Sequence, residues 1–529
     1  MLRFALCLLL LALATQRATA MEIADVDSRY LKGGKRASVR ILINSPAEPK
    51  AWLLEIPGGK GVGWIKETKG KPEYGFSLTP FARISESLKG LGIGHVVMEA
   101  PSDHPDGVPG GWFEDPDHHQ DIGRVAQFLR EKRGALPMYL GGYASGAPAA
   151  LYYGAQAPDN LAGIVLVGGY YGQMREFAAE RVRAPVLMLH AASNRCASAP
   201  VIEARELARK GRYALVEVYY RDWGRANGCG TSSQTALNGR DADLLAALSK
   251  WIAHEPLPEV IGDPGVGVAF NEQVHFFDAP SGLGGNRLEM TLYLPRGAGP
   301  FPLLVFSHGD VVFESAYIRR KTRVRDFDFA TTFLDLGIAV AFPARSGIGM
   351  SQGSYQRSFS RNDGDALYKG RMHAQEIFAA VEYLRKLPQI ARDRIVLSGQ
   401  SAGGYASSTA GGMNPEWLVG VLNFSGGRTE VALGQAPIGQ NRMMIEGFAE
   451  LGRTTRVAVM MVFAENDSRY SADTIRACHE AFVREGGKAT LALYPPQAGD
   501  GHHVITNRAL WSGDVKRYLA SIGLAKAEN

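Results

Sequence analysis

Residues 394–404 read RIVLSGQSAGG, a short apolar run that leads into a cluster of small residues. The run Ile395–Ser398 is typical of a buried strand, and the residues after the cluster can begin a helix. Glycines on either side of the serine permit a tight turn and a close approach to neighbouring strands. Such a turn presents the hydroxyl of Ser401 outside the sheet. We therefore predict that Ser401 is a nucleophile; the alternative is a glycine-rich loop with an incidental serine.

A serine hydroxyl is a poor nucleophile at neutral pH, so it needs a base and an orienting acid, here expected later in the chain. The apolar run Val457–Phe463 is typical of a strand, and Asp467 follows its carboxyl end. A buried carboxylate at that place would fix the tautomer of a histidine and stabilise its imidazolium form. We predict that Asp467 is the acid. Glu465 is its nearest competitor, and a solvated loop residue is the alternative.

The base is expected on the loop after the last strand of the same sheet. The segment Ala489–Tyr494 is typical of that strand, and Asp500-Gly501-His502-His503 follows it. We predict that His502, directly after a glycine, is the base, with His503 as the alternative.

A tetrahedral oxyanion also needs preorganised hydrogen-bond donors. The sequence Ser307-His308-Gly309-Asp310 follows the first apolar strand of the core, where a backbone N–H group can face the turn at the serine. The predicted donors are the amide of Ala402 and that of Asp310 or Gly309. His308 is then expected to be structural.

Short apolar runs alternate with longer amphipathic segments between residues 300 and 525. This alternation is what a parallel sheet covered by helices on both faces requires, so the predicted fold class is α/β. The pair Val274–Phe277 and Leu288–Leu294 is typical of an antiparallel hairpin added to that sheet. The other predicted strands are Leu303–Ser307, Ile338–Phe342, Ile395–Ser398, Val419–Phe424, Val457–Phe463 and Ala489–Tyr494.

The first half of the chain repeats this plan. Residues 137–146, PMYLGGYASG, match the pattern of residues 394–403, and Leu161–Ile164 matches Leu418–Val421 at the same offset without a gap. The proline-rich, polar stretch Glu255–Pro264 then reads as the joint between two complete units.

These motifs resemble those of the α/β-hydrolase superfamily, and within it of the dienelactone-hydrolase-like serine hydrolases. The resemblance covers residues 268–525, and it is carried by Ser307-His308-Gly309, Arg345–Gly353, Gly399–Gly403, Asn466-Asp467 and Gly501-His502. It implies a serine hydrolase that cleaves carboxylic esters or lactones through an acyl-enzyme. That mechanism requires no metal ion and no organic cofactor. A small lid is expected between residues 428 and 456, where Met443, Met444, Ile445 and Phe448 could line an acyl pocket or simply pack as a helix.

The resemblance extends to residues 50–253, but there the chemistry is missing. Ala144 occupies the nucleophile position, Asn194 the acid position, and Gln234 is the residue found where the base would be expected. Three concurrent losses favour a pseudoenzyme over a rearranged live site. We therefore predict two tandem α/β-hydrolase domains, each a mostly parallel sheet covered by helices: a degenerate one at residues 21–255 and a catalytic one at residues 256–529.

The first 20 residues are typical of a secretory signal peptide, with Arg3 in a short basic start, the apolar run Phe4–Ala14 and the small residues Ala18-Thr19-Ala20. The apolar run is shorter than a bilayer crossing needs, and we expect no integral span after its removal. A secreted or periplasmic protein can keep disulfides. Three cysteines remain, so at most one pair can form, and Cys196 and Cys229 are the predicted pair because they fall in neighbouring loops.

The composition sets further limits. With 46% apolar residues, 21% charged residues and a formal net charge of +5 over 529 residues, the chain can bury large cores and has too little charge to indicate a nucleic-acid partner. His118 and His119 lead into an amphipathic helix and are read as a solvated helix start, so no metal site is expected. The alternatives to an esterase are a serine peptidase of the prolyl-oligopeptidase kind and a non-catalytic binding protein.

Overall fold

The computed structural model describes residues 21–31, 33–75, 78–109, 111–156, 161–196, 198–222, 229–264, 271–281, 284–311, 323–356, 366–428 and 442–525. The predicted signal peptide and residues 429–441 of the predicted lid lie outside this range. The chain forms two compact units, Met1–Ala269 and Phe270–Asn529. In the described part of the chain, every helix is too short or too polar to cross a bilayer.

The first unit is built on a nine-stranded sheet in the order β1-β2-β6-β3-β7-β8-β9-β10-β11. The strands of this unit, including the separate small hairpin β4–β5, are β1 (Glu22–Tyr30), β2 (Arg36–Asn44), β3 (Ala51–Ile56), β4 (Lys66–Thr68), β5 (Lys71–Glu73), β6 (Ile93–Met98), β7 (Met138–Tyr143), β8 (Gly163–Val167), β9 (Val186–Ala191), β10 (Ala214–Val218) and β11 (Val260–Ile261). Its helices are α1 (Pro80–Arg83), α2 (Ser85–Gly90), α3 (Pro116–Arg133), α4 (Gly146–Gln156), α5 (Val201–Gly211) and α6 (Asp241–Ile252).

The second unit has an eight-stranded sheet in the order β12-β13-β15-β14-β16-β17-β18-β19. Its strands are β12 (Asn271–Ser281), β13 (Gly284–Leu294), β14 (Phe301–Ser307), β15 (Ala339–Pro343), β16 (Ile390–Gln400), β17 (Leu418–Phe424), β18 (Ala458–Ala464) and β19 (Ala489–Tyr494). Its helices are α7 (Phe327–Leu334), α8 (Tyr368–Leu384), α9 (Ala402–Gly412), α10 (Arg442–Thr454), α11 (Ala472–Arg484) and α12 (Arg508–Ser521).

The first eight strands of the first sheet and the eight strands of the second share one topology. In each, the first two strands form an antiparallel hairpin, the second strand pairs antiparallel with the third in space, and the remaining strands are parallel. The α/β class and the repetition of one plan are therefore confirmed. We call the tight turn at Ser401, and the matching turn at Ala144, the elbow. The strand that leads into it, β16 or β7, lies next to the strand that leads into the predicted oxyanion segment or its counterpart, β14 or β3.

The joint between the units differs from the sequence prediction. The prediction divided the chain after residue 255 and took Glu255–Pro264 as a linker, whereas the first compact unit extends to Ala269. The reason is β11, which pairs parallel with β10 and so belongs to the first sheet. A two-residue strand between prolines is too short to be recognised from apolar periodicity.

Alternate residues of the central strand β14 pack on opposite faces of the second sheet. Leu303 and Val305 join a large core of mixed aliphatic and aromatic side chains. Phe306 faces the other way, with its ring centroid 4.6 Å from that of Phe329. This second core is aromatic, and its members are Phe306, Phe329, Phe333, Phe342, Phe424 and Trp511.

Replacing Phe329 by alanine should lower the free energy of unfolding of the second unit by about 3–5 kcal/mol, because it leaves a cavity among fully packed rings. Urea denaturation followed by circular dichroism measures the loss. Val483→Ala, at an exposed position of α11, is the control and should change stability by less than about 0.5 kcal/mol. Equal losses in the two variants would contradict this account of the core.

Candidate functional site

Ser401 lies at a sharp turn between β16 and α9. Its backbone has φ 55° and ψ −123°, a conformation that costs a non-glycine residue strain energy. Hydrogen bonds hold the residue there: its N–H donates to the carbonyl of Phe424 at 3.0 Å, and its carbonyl accepts from the N–H of Tyr405 at 3.0 Å. The turn therefore presents the side chain at the carboxyl end of the sheet, as the motif predicts.

Two glycines make this turn possible. A Cβ atom on Gly403 would lie 2.0 Å from the carbonyl oxygen of Ser307, and one on Gly399 would lie 2.4 Å from the carbonyl carbon of Gly403. Neither backbone neighbour can move aside as a side chain could. The first turn of α9 thus packs directly on the end of β14, and no residue with a side chain fits at either position.

The structure brings together the three residues predicted to form the reactive group. Nε2 of His502 lies 2.9 Å from Oγ of Ser401, and Nδ1 of His502 lies 3.0 Å from each carboxylate oxygen of Asp467. Since Nδ1 faces a carboxylate, it carries the proton and donates, and Nε2 is left to accept from the serine hydroxyl. The side chain of Asp467 is fully buried. Of the competitors, His503 is exposed and Glu465 pairs with Arg476 on the surface.

The loops that carry the acid and the base are joined by Asp500. Its carboxylate accepts from the N–H groups of His502 at 2.9 Å and Ser468 at 3.0 Å and from the Ser468 hydroxyl at 2.6 Å. Burial raises the pKa of Asp500, but the hydrogen bonds from Ser468 and from the backbone of His502 outweigh it and hold the pKa below its ordinary value. Asp500 was not predicted as a site residue, although an acid two positions before His502 has the spacing of a helix cap.

Asn466 makes a second connection between the same loops. Its Nδ2 donates to the carbonyls of Gln497 at 2.9 Å and Gly499 at 2.8 Å, and its Oδ1 accepts from the N–H of Gln497 at 2.8 Å. Asp467 is fixed as well, since its carboxylate accepts from the backbone of Arg469 at 2.8 Å. The acid and the base therefore stand on a hydrogen-bonded frame that does not depend on their own contact.

The predicted oxyanion segments flank Ser401. A Cβ atom placed on Gly309 would lie 3.3 Å from Cβ of Ser401, so the loop after β14 runs beside the serine. Ala402 is the first residue of α9, and the first N–H groups of a helix have no partner within it. His308 binds backbone: Nδ1 donates to the carbonyl of Gly309 at 2.8 Å, and Nε2 accepts from the N–H of Arg345 at 3.2 Å.

The apolar residues considered for an acyl pocket divide into two groups. Met444 and Phe448 on α10 are fully buried in the large mixed core of the second unit. Ile445 packs against that core from a partly buried position, and Met443 is partly buried as well. For Met444 and Phe448 the ordinary helix-packing interpretation is therefore the one that the structure favours.

In the first unit the elbow keeps its shape without its hydroxyl. Ala144 has φ 50° and is 2% exposed. Asn194 is buried at the end of β9, where its Oδ1 accepts from the hydroxyl of Thr235 at 2.7 Å. Thr235, and not Gln234, thus stands at the histidine position; Gln234 is the neighbouring residue and binds Ser193 and the carbonyl of Asp222. The prediction of Gln234 rested on side-chain type alone, whereas Thr235 follows the capping residue Ser233 by two positions, as His502 follows Asp500.

The disulfide predicted between Cys196 and Cys229 is present. Cys196 follows Asn194 by two residues, and its N–H donates to the Asn194 side chain at 3.0 Å. The bridge thus joins the loop that carries Asn194 to the segment that leads to Thr235. Cys478 is free and buried, and burial raises the pKa of its thiol far above the ordinary value, as expected of a packing residue.

The prediction of a solvated start of α3 at His118 and His119 was wrong, because both side chains are buried. His119 donates from Nε2 to the carbonyl of Phe113 at 2.8 Å and accepts at Nδ1 from Gln156 at 2.9 Å, so both ring nitrogens are engaged. A second serine–histidine–carboxylate chain joins Ser85, His95 and Glu55 over 3.0 and 2.9 Å, and it is buried throughout. Within the described ranges no cluster of three or more histidine, cysteine or acidic side chains could hold a metal ion.

Comparison with known families finds a match to the prolyl oligopeptidase family at residues 325–422, which extends from the start of α7 through the elbow into β17. No curated protein matches the chain. Together with the strand order and the elbow, the family match confirms the resemblance to the α/β-hydrolase superfamily and supports a hydrolase of the serine hydrolase superfamily. It does not distinguish an esterase from a peptidase.

Solved structures that are similar to the chain include proteins named as peptidases and proteins named as esterases. An acylaminoacyl peptidase of Pyrococcus horikoshii is 16% identical over 49% of this chain and 43% of its own, with a TM-score of 0.35. A protein assigned as a dienelactone hydrolase from Klebsiella pneumoniae is 16% identical over 47% of this chain and 98% of its own, with a TM-score of 0.32. An esterase of Pyrococcus furiosus is 13% identical over 48% of this chain and 94% of its own, with a TM-score of 0.34. The match thus spans less than half of the acylaminoacyl peptidase.

Gly403→Ala should abolish activity and destabilise the second unit, because the added methyl group meets the backbone of Ser307. The control is Gly513→Ala on α12, where the nearest atom to an added Cβ would be in the side chain of Arg517, at 3.7 Å. This change should leave the free energy of unfolding unchanged or raise it by up to about 1 kcal/mol. Thermal denaturation and an esterase assay on both variants check this. An active, stable Gly403→Ala protein would show that the close contact is not required.

Proposed function

We propose that the protein is an exported serine hydrolase that cleaves carboxylic esters or lactones through an acyl-enzyme at Ser401. The observation that carries the proposal is the hydrogen-bonded chain from Oγ of Ser401 through His502 to the buried carboxylate of Asp467. Such a chain at a strained strand-to-helix turn performs acyl transfer in this class of fold.

The reaction follows from the positions of the protons. Oγ of Ser401 attacks the ester carbonyl carbon while Nε2 of His502 takes the hydroxyl proton, and Asp467 stabilises the imidazolium ion. The oxyanion accepts hydrogen bonds from backbone N–H groups beside the serine, for which Ala402 and Asp310 or Gly309 are the candidates. His502 then gives its proton to the departing alcohol. Water repeats the sequence on the acyl-enzyme and releases the acid.

A peptidase is the second candidate, and the match to the prolyl oligopeptidase family favours it. The same side chains would attack a peptide carbonyl, with His502 protonating the departing amine. A matched pair of substrates with one acyl group, a p-nitrophenyl ester and a p-nitroanilide, separates the two. Turnover of the ester and of lactones without turnover of the anilide supports the esterase; anilide turnover that is lost in Ser401→Ala supports the peptidase.

Export and the role of the first unit belong to the same proposal. The first 20 residues have the pattern of a cleaved signal, and the Cys196–Cys229 bridge suits an oxidising compartment. The first unit acts as a pseudoenzyme, since Ala144 has no hydroxyl at the nucleophile position and neither Asn194 nor Thr235 can act as a base.

A fluorophosphonate probe should label Ser401 and leave Ser85 unlabelled, because the Ser85 chain is closed to solvent. Ser401→Ala should remove the label and lower kcat by about 10⁴–10⁶-fold. Peptide mapping by mass spectrometry locates the label. If folded wild-type protein takes no label, the result contradicts the enzyme proposal and favours a non-catalytic binding protein.

Ala144→Ser in a Ser401→Ala background should restore no activity and accept no label. Residue 144 is buried, and neither Thr235 nor Asn194 can take the proton of a hydroxyl group. Thermal denaturation verifies that the double variant is folded. Labelling of the new serine would show that the first unit keeps a working site and is not a pseudoenzyme.

A further inference from the structure

We propose that Arg345 is a positioning residue of the oxyanion hole: its guanidinium group holds the carbonyl of Gly309 so that the next N–H group, that of Asp310, faces Ser401. The inference rests on the proposed function of Ser401. Arg345 lies at the start of the segment Arg345–Gly353, and the mechanism above assigns it no role.

The contacts of Arg345 converge on the loop beside the serine. Nη2 donates to the carbonyl of Gly309 at 2.6 Å and lies 3.2 Å from a carboxylate oxygen of Asp310. The backbone N–H of Arg345 donates to Nε2 of His308 at 3.2 Å. One arginine thus binds three consecutive residues of the loop, and its side chain is 10% exposed.

The other arm of the guanidinium group is anchored away from the loop. Nη1 donates to Nδ1 of His373 on α8 at 3.0 Å. Burial, and then the charge of Arg345, lowers the pKa of His373 and of His308 to about 3. Both rings are therefore neutral at physiological pH, and each can offer a nitrogen lone pair to the arginine.

The geometry of the peptide unit connects these contacts to the serine. In a trans peptide the C=O and N–H groups point in opposite directions. The carbonyl of Gly309 points to Arg345, so the N–H of Asp310 points away from it. Because residue 309 lies beside Ser401, the peptide unit stands between the guanidinium group and the place where an oxyanion would form. A charge-assisted bond to the carbonyl also polarises the unit and strengthens its N–H as a donor.

Lysine could not replace this arrangement fully. The planar fork of arginine reaches Gly309, Asp310 and His373 at once, whereas an ammonium group is a single point charge on a flexible stem. Arg345→Lys should keep the charge and lose the fixed orientation.

The test compares Arg345→Met and Arg345→Lys with wild type, using a p-nitrophenyl ester that the wild type turns over. Arg345→Met should lower kcat by about 10²–10³-fold, the loss expected for one oxyanion donor, with KM changed by less than about threefold. Affinity for a trifluoromethyl ketone, whose adduct carries the oxyanion, should fall by the same factor as kcat/KM. Arg345→Lys should recover part of kcat.

Arg325→Met is the matched control, since Arg325 is also buried in the second unit and pairs with Glu272 at 2.8 Å. It should lower thermal stability and leave kcat within about threefold of wild type. If Arg345→Met fails to fold, Tyr355→Phe replaces it: the Tyr355 hydroxyl donates to Asp310 at 3.0 Å and accepts from Val311 at 3.1 Å. That variant should lower kcat several-fold with KM unchanged.

Wild-type kcat in a folded Arg345→Met protein, or equal losses in Arg345→Met and Arg325→Met, would overturn the inference. So would a fall in kcat without a matching fall in affinity for the trifluoromethyl ketone. Failure of the wild type to take a fluorophosphonate label would instead overturn the proposed function, so the two failures are distinguishable.

Discussion

The second unit depends on a contact between bare backbones, where the first turn of α9 rests on the last residue of β14 through Gly403. This contact fixes the height of the helix above the sheet and forces Ser401 into its strained conformation. It also sets the distance from the serine to the loop that begins at His308. The hydroxyl, the helix N-terminus and the oxyanion segment are therefore positioned by one constraint, and the acid and base loops reach them from the neighbouring strands.

Much of this arrangement could be predicted from the sequence because apolar runs bounded by turn residues mark buried parallel strands. The strand Ala489–Tyr494 has the bounds predicted for it, and His502 could be placed from the loop that follows it. The pattern gives no information about hydrogen bonds between polar loop residues and the backbone, so the roles of Asp500 and Asn466 were not predicted. It also fails for very short elements such as the strand Val260–Ile261. Nor does it show which residue of a loop faces a given side chain, so Gln234 was predicted where its neighbour Thr235 contacts Asn194.

A comparison of the two units separates what the fold needs from what the chemistry needs. Ala144 and Ser401 have nearly the same positive φ, 50° and 55°. Since Ala144 has no hydroxyl to present, its strain cannot be explained by catalysis. The turn is a requirement of joining this strand to this helix, and a nucleophile is one of the residues that it can carry. The side chains near the turn differ between the units: Asn194 occupies in the first unit the place that Asp467 has in the second. We expect these side chains to decide whether the turn supports catalysis.

The Cys196–Cys229 bridge gives the two halves of the chain different chemical sensitivities. In the first unit a disulfide links the loop after β9 to the segment before Thr235. In the second unit the corresponding loops are linked by the hydrogen bonds of Asn466 and Asp500. A thiol reductant would therefore cut a cross-link in one half and find no equivalent target among the loops of the other. A reducing environment would therefore act first on the unit for which we propose no catalytic role.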